Sequence, residues 1–325
     1  MPDRAAKSRK WRRAFNLAAL VFLMMNAVAF FHAWRFTHFT TKAGLHTDNP
    51  EQLTFPQKLG ILLTGVRNPK PVNRQKPNFP YQTIYLSSSN GRLEAWYGAV
   101  LQPRGTVALF HGYTSSKSQL LTEACYFRRL GYNVLLTDFA GNGSSSGNVC
   151  TVGHHEAEDV ATAVRWLQRR PGPVVIYANS MGAVAALRAE AELGILATAN
   201  ILECPYGSML QTTQSRFRSM RVPPFPMANL LVFWGGVANN FWAFDLDATR
   251  YAARISTPTL LLWGAADPRV TRAETDGIFA ALRGPKQRQD FPGSGHEPYW
   301  WKHKALWEST IQQFLPTTNS QLVSR

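Results

Sequence analysis

From Thr106 onward the chain repeats one pattern, a short run of β-branched and apolar residues followed by a longer segment of helical composition. The runs are TVALFHG (106–112), NVLLTDFAG (133–141), VVIYANS (174–180), TANILEC (198–204) and PTLLLWGAAD (258–267). They are continuous rather than alternating in polarity, so a strand made from each must bury both faces. A parallel sheet covered by helices on its two sides does this. TIYLSS (83–88) and LEAWYGAV (93–100) flank Asn90-Gly91, a hairpin signal. QRQDFPG (287–293) and a helix from Tyr299 close the pattern. The expectation is one α/β domain over 81–315, with a tail at 316–325. Residues 205–256, rich in Phe, Trp, Met and Pro, interrupt the alternation and read as a helical cap.

The N-terminus is of another kind. Arg4, Lys7, Arg9, Lys10, Arg12 and Arg13 against Asp3 make residues 1–13 a basic head. Ala14 to Phe31 then contains no charged residue, and as a helix it spans about 27 Å, enough for a hydrocarbon core. Trp11 and Trp34 bracket it as interfacial anchors, and the preceding cations favour a cytoplasmic N-terminus. A transmembrane anchor over 14–34 is expected, with the domain outside the cytoplasm. A signal peptide cut after Ala27-Val28-Ala29, leaving a secreted or periplasmic protein, is the rival. Residues 35–80 carry many prolines, as in RNPKPVNRQKPNFP (67–80), and read as a tether with a short helix around Pro56 to Leu63.

The formal net charge of +15 leaves a cationic excess outside the head, but it is scattered rather than gathered into a stripe with aromatics, so no nucleic-acid partner is expected. Cys125, Cys150 and Cys204 are too few for a disulfide framework and are expected free.

In such a sheet the loops at the carboxyl ends of the strands carry function. Those ends hold His111-Gly112-Tyr113, Asp138, Ser180, Glu203, Asp267 and His296. Ser180 stands in Ala178-Asn179-Ser180-Met181-Gly182 between a strand and a helix, an elbow of the G-x-S-x-G kind with alanine for the first glycine. A serine is a poor nucleophile without a base, itself oriented by a third group. His296 in GSGHEP and Asp267 at the end of LLLWGAAD complete the order Ser, Asp, His.

The set LFHGYTSSKSQ, TDFAGNGSSSG, YANSMGAVAA, LLLWGAADPRV and PGSGHEP resembles the α/β-hydrolase superfamily over about Tyr81 to Leu315. Within it the chain looks most like the serine aminopeptidase/lysophospholipase-like branch, which includes membrane-anchored serine hydrolases. The resemblance implies the α/β-hydrolase fold, a Ser180–His296–Asp267 triad, an oxyanion hole from the backbone N–H groups of Tyr113 and Met181, and no metal or organic cofactor. Ala140 departs from it, standing where D-x-R-G-x-G-x-S has arginine.

The expected reaction is hydrolysis of a small-molecule or lipid-like carboxylic ester through an acyl-enzyme, with Phe217, Phe225, Phe233 and Trp234 of the cap as pocket lining. A peptidase of the aminopeptidase type is the runner-up, although only Asp245 and Asp247 in the cap could catch a substrate's amine. A non-catalytic binding protein would require a damaged motif. GNGSSSG (141–147) lacks the spacing of a dinucleotide fingerprint, and GHHEAED (153–159) lacks that of a metal helix.

Overall fold

The computed structural model describes residues 3–40, 54, 56, 57, 60, 61 and 65–320. Its centre is one eight-stranded sheet in the order β1-β2-β4-β3-β5-β6-β7-β8. The strands are β1 (Gln82–Ser88), β2 (Gly91–Gly98), β3 (Thr106–Phe110), β4 (Asn133–Thr137), β5 (Val174–Asn179), β6 (Ala199–Glu203), β7 (Thr259–Gly264) and β8 (Lys286–Phe291). β1 and β2 form the hairpin, with Ser88 opposite Gly91, and β2 joins β4 antiparallel. From β4 to β8 every pairing is parallel.

The helices are α1 (Asp3–Thr37), α2 (Leu121–Arg129), α3 (Glu156–Gln168), α4 (Met181–Leu193), α5 (Met209–Ser219), α6 (Met227–Ala238), α7 (Ala248–Ala252), α8 (Arg272–Ala281) and α9 (Tyr299–Ser320). Every residue of β3, β4, β6 and β7 is buried, which accounts for their unbroken apolar character. Two cores lie on the two faces of the sheet. One gathers α3 and α4, and the other packs Phe127 and Tyr177 around the fully buried Trp307 of α9. Truncating such an indole to alanine costs about 3–5 kcal/mol.

The basic head from Asp3 and the apolar segment form one continuous helix, α1, and Lys7–Thr37 is long and apolar enough to cross a membrane by length and composition. That property suits an anchor or a signal sequence alike. Of the expected tether over 35–80, the structure describes 35–40, 54, 56, 57, 60, 61 and 65–80. Residues 65–80 run along the domain, bridged once by backbone from Pro69 to Thr40 and otherwise held by side chains. Asn73 Nδ2 donates to Asp138 at 2.7 Å, and Lys70 Nζ donates to the Gly147 carbonyl at 2.9 Å. Of the short helix expected around 56–63, residues 58, 59, 62 and 63 lie outside the described residues, as do 321–325 of the tail; 316–320 continue α9.

Candidate active site

β5 ends at Asn179, and the chain turns into α4 through Ser180 with φ +49° and ψ −112°. A non-glycine residue pays about 1–3 kcal/mol for such a conformation and keeps it only where its surroundings fix it. Here the Ser180 N–H donates to the Glu203 carbonyl at 2.7 Å, tying the turn to the end of β6. On the other side, a Cβ added to Gly182 would lie 2.7 Å from the His111 oxygen and 2.9 Å from that of Phe110. Glycine is therefore required at 182. At 178 the alanine is fully buried opposite Phe110, so one methyl group fits there. Ser180 caps the N-terminus of a 13-residue helix, where the dipole favours developing negative charge.

His296 lies on the loop after β8, with Nε2 3.0 Å from Ser180 Oγ and Nδ1 2.7 Å from Asp267 Oδ2. The Asp267 side chain is fully buried. Its Oδ1 accepts the N–H groups of Arg269 at 2.7 Å and Val270 at 3.0 Å, which fixes the carboxylate in the turn after β7. The His296 loop rests on β7 itself: a Cβ on Gly264 would collide with the Gly295 and Ser294 carbonyls. The three sequence-predicted residues thus meet in one hydrogen-bonded line.

Facing them is the loop after β3. A Cβ on Gly112 would lie 3.6 Å from that of Ser180. The Tyr113 side chain turns away from the serine. Its hydroxyl donates to the Phe36 carbonyl at 2.6 Å and accepts from Asn68 Nδ2 at 2.8 Å, and its ring stacks on Phe36 at 4.7 Å. Neither the Tyr113 nor the Met181 backbone N–H donates to a protein group among the described residues. His111 Nε2 accepts the Phe139 N–H at 3.3 Å, which assigns the proton to Nδ1, 2.8 Å from the Gly112 carbonyl. Burial lowers its pKa, so it braces the loop as a neutral ring.

The sequence profile of the alpha/beta hydrolase family matches residues 107–306. The chain belongs to this family. Among curated proteins it is similar to the uncharacterized protein YqkD of Bacillus subtilis (strain 168), 26% identical over 219 residues that cover 66% of this chain and 72% of YqkD. It also resembles the caffeoylshikimate esterase of Arabidopsis thaliana, 27% identical over 144 residues, 41% of this chain and 39% of that one. Among solved structures, the Pyrococcus furiosus esterase Pf2001 superposes with a TM-score of 0.63 at 21% identity, covering 77% of this chain and 96% of the esterase.

Within this hydrolase-family fold the sequence reading passed over one neighbour of the site. Cys204, the residue after β6, has φ +41° and is buried. Its sulfur, an Asp267 oxygen and a His296 nitrogen lie within 4.8 Å of one another. The only sequence signal for it was its place next to Glu203 at a strand end. A metal there would have to displace bonds that Asp267 already makes to His296, Arg269 and Val270. Burial disfavours charge on the His296 ring, but Cys204 and the hydrogen bond to Asp267 outweigh it, and the imidazole is raised to about 10.

The other strand-end residues serve the scaffold. Asp138 takes the Lys117 N–H at 2.8 Å, the Ser144 N–H at 2.9 Å and the buried Lys117 ammonium, so the GNGSSSG loop folds around it. The Ala140 N–H is held by Asp159 Oδ2 at 2.8 Å, which steadies the position where the family pattern has arginine. Glu203 accepts from Trp307 Nε1 at 2.6 Å. In GHHEAED, His154 stacks on Phe241 at 4.1 Å, and Glu156 takes the N–H groups of Thr151 and Gly153, both at 2.8 Å.

The four cap aromatics expected to line a pocket have their described contacts within the cap and with α1. Phe225 is 77% exposed, and Trp234 lies edge-on to Phe30 of α1 at 5.4 Å. Phe233 packs on Trp234 and Trp242, while Phe217 is half-buried on α5. An almost wholly apolar segment has no polar face to mark which side turns inward. From outside the sheet domain, Phe36, Phe39 and Asn68 reach Tyr113 on the loop after β3.

Proposed function

We propose that this alpha/beta hydrolase is a serine hydrolase of carboxylic esters, held to a membrane by α1. The observation that carries the reading is the line from Ser180 Oγ through His296 to Asp267, at 3.0 and 2.7 Å, built on a strained elbow. His296 Nε2 takes the Ser180 proton as Oγ attacks the ester carbonyl. Asp267 holds the ring by Nδ1–H and stabilises the imidazolium. The oxyanion forms beside the unengaged N–H groups of Met181 and Tyr113, where each such donor is worth about 2.7–4 kcal/mol of barrier. The alcohol leaves with the proton from His296, and water repeats the sequence on the acyl-enzyme.

An ester is favoured over a peptide because, among the described residues, both cap carboxylates that could bind a free amine are engaged elsewhere. Asp245, one of the two cap carboxylates, pairs instead with Arg250 at 2.8 Å, and Asp247 caps α7. The caffeoylshikimate esterase, whose name records an ester substrate, is similar over part of its length and supports the same choice. The test is hydrolysis of a p-nitrophenyl ester series of increasing acyl length, beside aminoacyl p-nitroanilides, by the full chain and its Ser180→Ala variant. Losing the serine of such a triad costs on the order of a million-fold in kcat. The expected result is ester turnover that disappears in the variant. Turnover of anilides alone would make the protein a peptidase, and equal inertness of both proteins would overturn the reading.

A further inference from the structure

The cap contains a second uncharged stretch. Between Arg221 and Asp245 no residue is charged, and α6 lies within this stretch as MANLLVFWGGVA. At 12 residues α6 is about 18 Å long, too short to cross a bilayer and long enough to occupy much of one leaflet. Ahead of it Val222 and Phe225 stand 45% and 77% exposed.

The main helical neighbour of α6 is α1, and Trp234 of α6 meets α1 inside its apolar segment, at Asn26 and Phe30. Trp234 Nε1 donates to Asn26 Oδ1 at 3.0 Å, and the Trp234 ring meets Phe30. Nearer the domain, Asn239 Nδ2 donates to Thr37 Oγ1 at 3.2 Å. Ala29 and Ala33, on the same side of α1, are buried, while Leu20 and Phe22 are open. If Ala14 to Phe31 occupies the hydrocarbon, whatever touches Asn26 is in the hydrocarbon too.

The chemistry of the contact suits that place. A polar side chain in lipid must find its partners within the protein. Asn26 does so at both ends, since its Nδ2 donates to the Phe22 carbonyl at 2.8 Å and its Oδ1 accepts from Trp234. The exposed Arg218 and Arg221, just before the uncharged stretch, can lay their stems on apolar surface and carry their guanidinium groups to lipid phosphates.

We propose that the segment Val222–Ala238 is a second membrane-contacting element, with α6 lying in the phospholipid leaflet beside α1 and Val222 and Phe225 among the acyl chains. This rests on the reading of α1 as a membrane-spanning helix. The experiment places one environment-sensitive fluorophore on the full chain at Leu20→Cys, Phe225→Cys or Leu101→Cys, in a Cys125→Ser background, and inserts each protein into phosphatidylcholine/phosphatidylglycerol vesicles. Leu101 is 96% exposed on the sheet domain and serves as the aqueous control. Quenching is read with nitroxide on the lipid acyl chain and with iodide in the water.

The expected result is that lipid nitroxide quenches the Phe225 probe to about the extent of the Leu20 probe, and iodide quenches only the Leu101 probe. If Leu20 responds to lipid nitroxide and Phe225 responds to iodide, α6 lies outside the leaflet and the proposal falls while the anchor stands. If neither Leu20 nor Phe225 responds to lipid nitroxide, both fall. Shielding of Phe225 from both quenchers that is lost as protein is diluted in lipid would mean a second copy covers the segment, and would overturn the proposal.

Discussion

The hydroxyl of Tyr113 donates to the backbone carbonyl of Phe36 at 2.6 Å, so the loop that faces Ser180 is fastened to the last turn of α1. The N-terminal helix is thereby part of the candidate site's support. Tyr113→Phe keeps the ring stack and removes the hydroxyl. It leaves the Phe36 carbonyl and Asn68 short of a partner, a loss of about 1–3 kcal/mol. The expected outcome is a melting temperature several degrees lower, read by calorimetry. A chain beginning at His38 is expected to melt below one beginning at Met24, because it also lacks the Phe36 ring.

Asp267→Asn tests the orienting carboxylate. The amide cannot accept the Nδ1 proton as the carboxylate does, and in a known triad the same change lowers kcat about 10⁴-fold with the geometry intact. A comparable fall in ester turnover, with KM little changed, is the expected result. A change confined to KM would remove Asp267 from the reaction.

The pH profile follows from the imidazole. His296 can act as a base only when neutral, and its pKa is raised from the ordinary 6.5 to about 10. The rising limb of kcat/KM is therefore expected above pH 6.5, toward alkaline pH. Cys204 is one of the groups that raise it. Cys204→Ala is expected to move the limb to lower pH, while Cys125→Ala leaves it in place. A limb unmoved by Cys204→Ala would dissociate the thiol from the base.

Two carboxyl groups beneath the site oppose folding in alkali. Burial raises Glu123 to about 8, and Glu203 pushes it further; burial raises Glu203 to about 7, held back by the Trp307 Nε1 donor. Among the described residues Glu123 Oε2 has no hydrogen-bond partner. A carboxyl that binds its proton more tightly when folded makes stability fall as pH rises from about 4.5, its unfolded value, to its folded value. The melting temperature is expected to drop between pH 5 and pH 8. Glu123→Gln should flatten that slope and raise stability at pH 8; equal slopes in the two proteins would remove Glu123 as the cause.

Much of this arrangement is legible in the chain. Strands buried on both faces announce themselves as unbroken apolar runs, and Asn90-Gly91 marks its hairpin because few other pairs tolerate that turn. The order Ser180, Asp267, His296 is legible because each residue lies in the segment that follows a strand. Other parts depend on directions that composition does not encode. Arg67–Pro80 reads as a tether because its fixed points are one isolated bridge to Thr40 and the side chains Asn68, Lys70 and Asn73, which have no period. Cys204 reaches His296 only through a turn with φ +41°. Trp234 faces α1 rather than the serine, and an apolar helix gives no sign of which side it shows to which neighbour.

The contacts at Gly182 and Gly264 have a practical consequence. At both, main chain lies directly on main chain, with no side chain between the elbow and β3 or between the His296 loop and β7. The spacing of Ser180, His296 and Asp267 is thus set by backbone thickness, whereas α5 and α6 are joined to the rest of the protein largely through side chains such as Trp234. A library confined to residues 209–245 is therefore expected to leave that spacing in register.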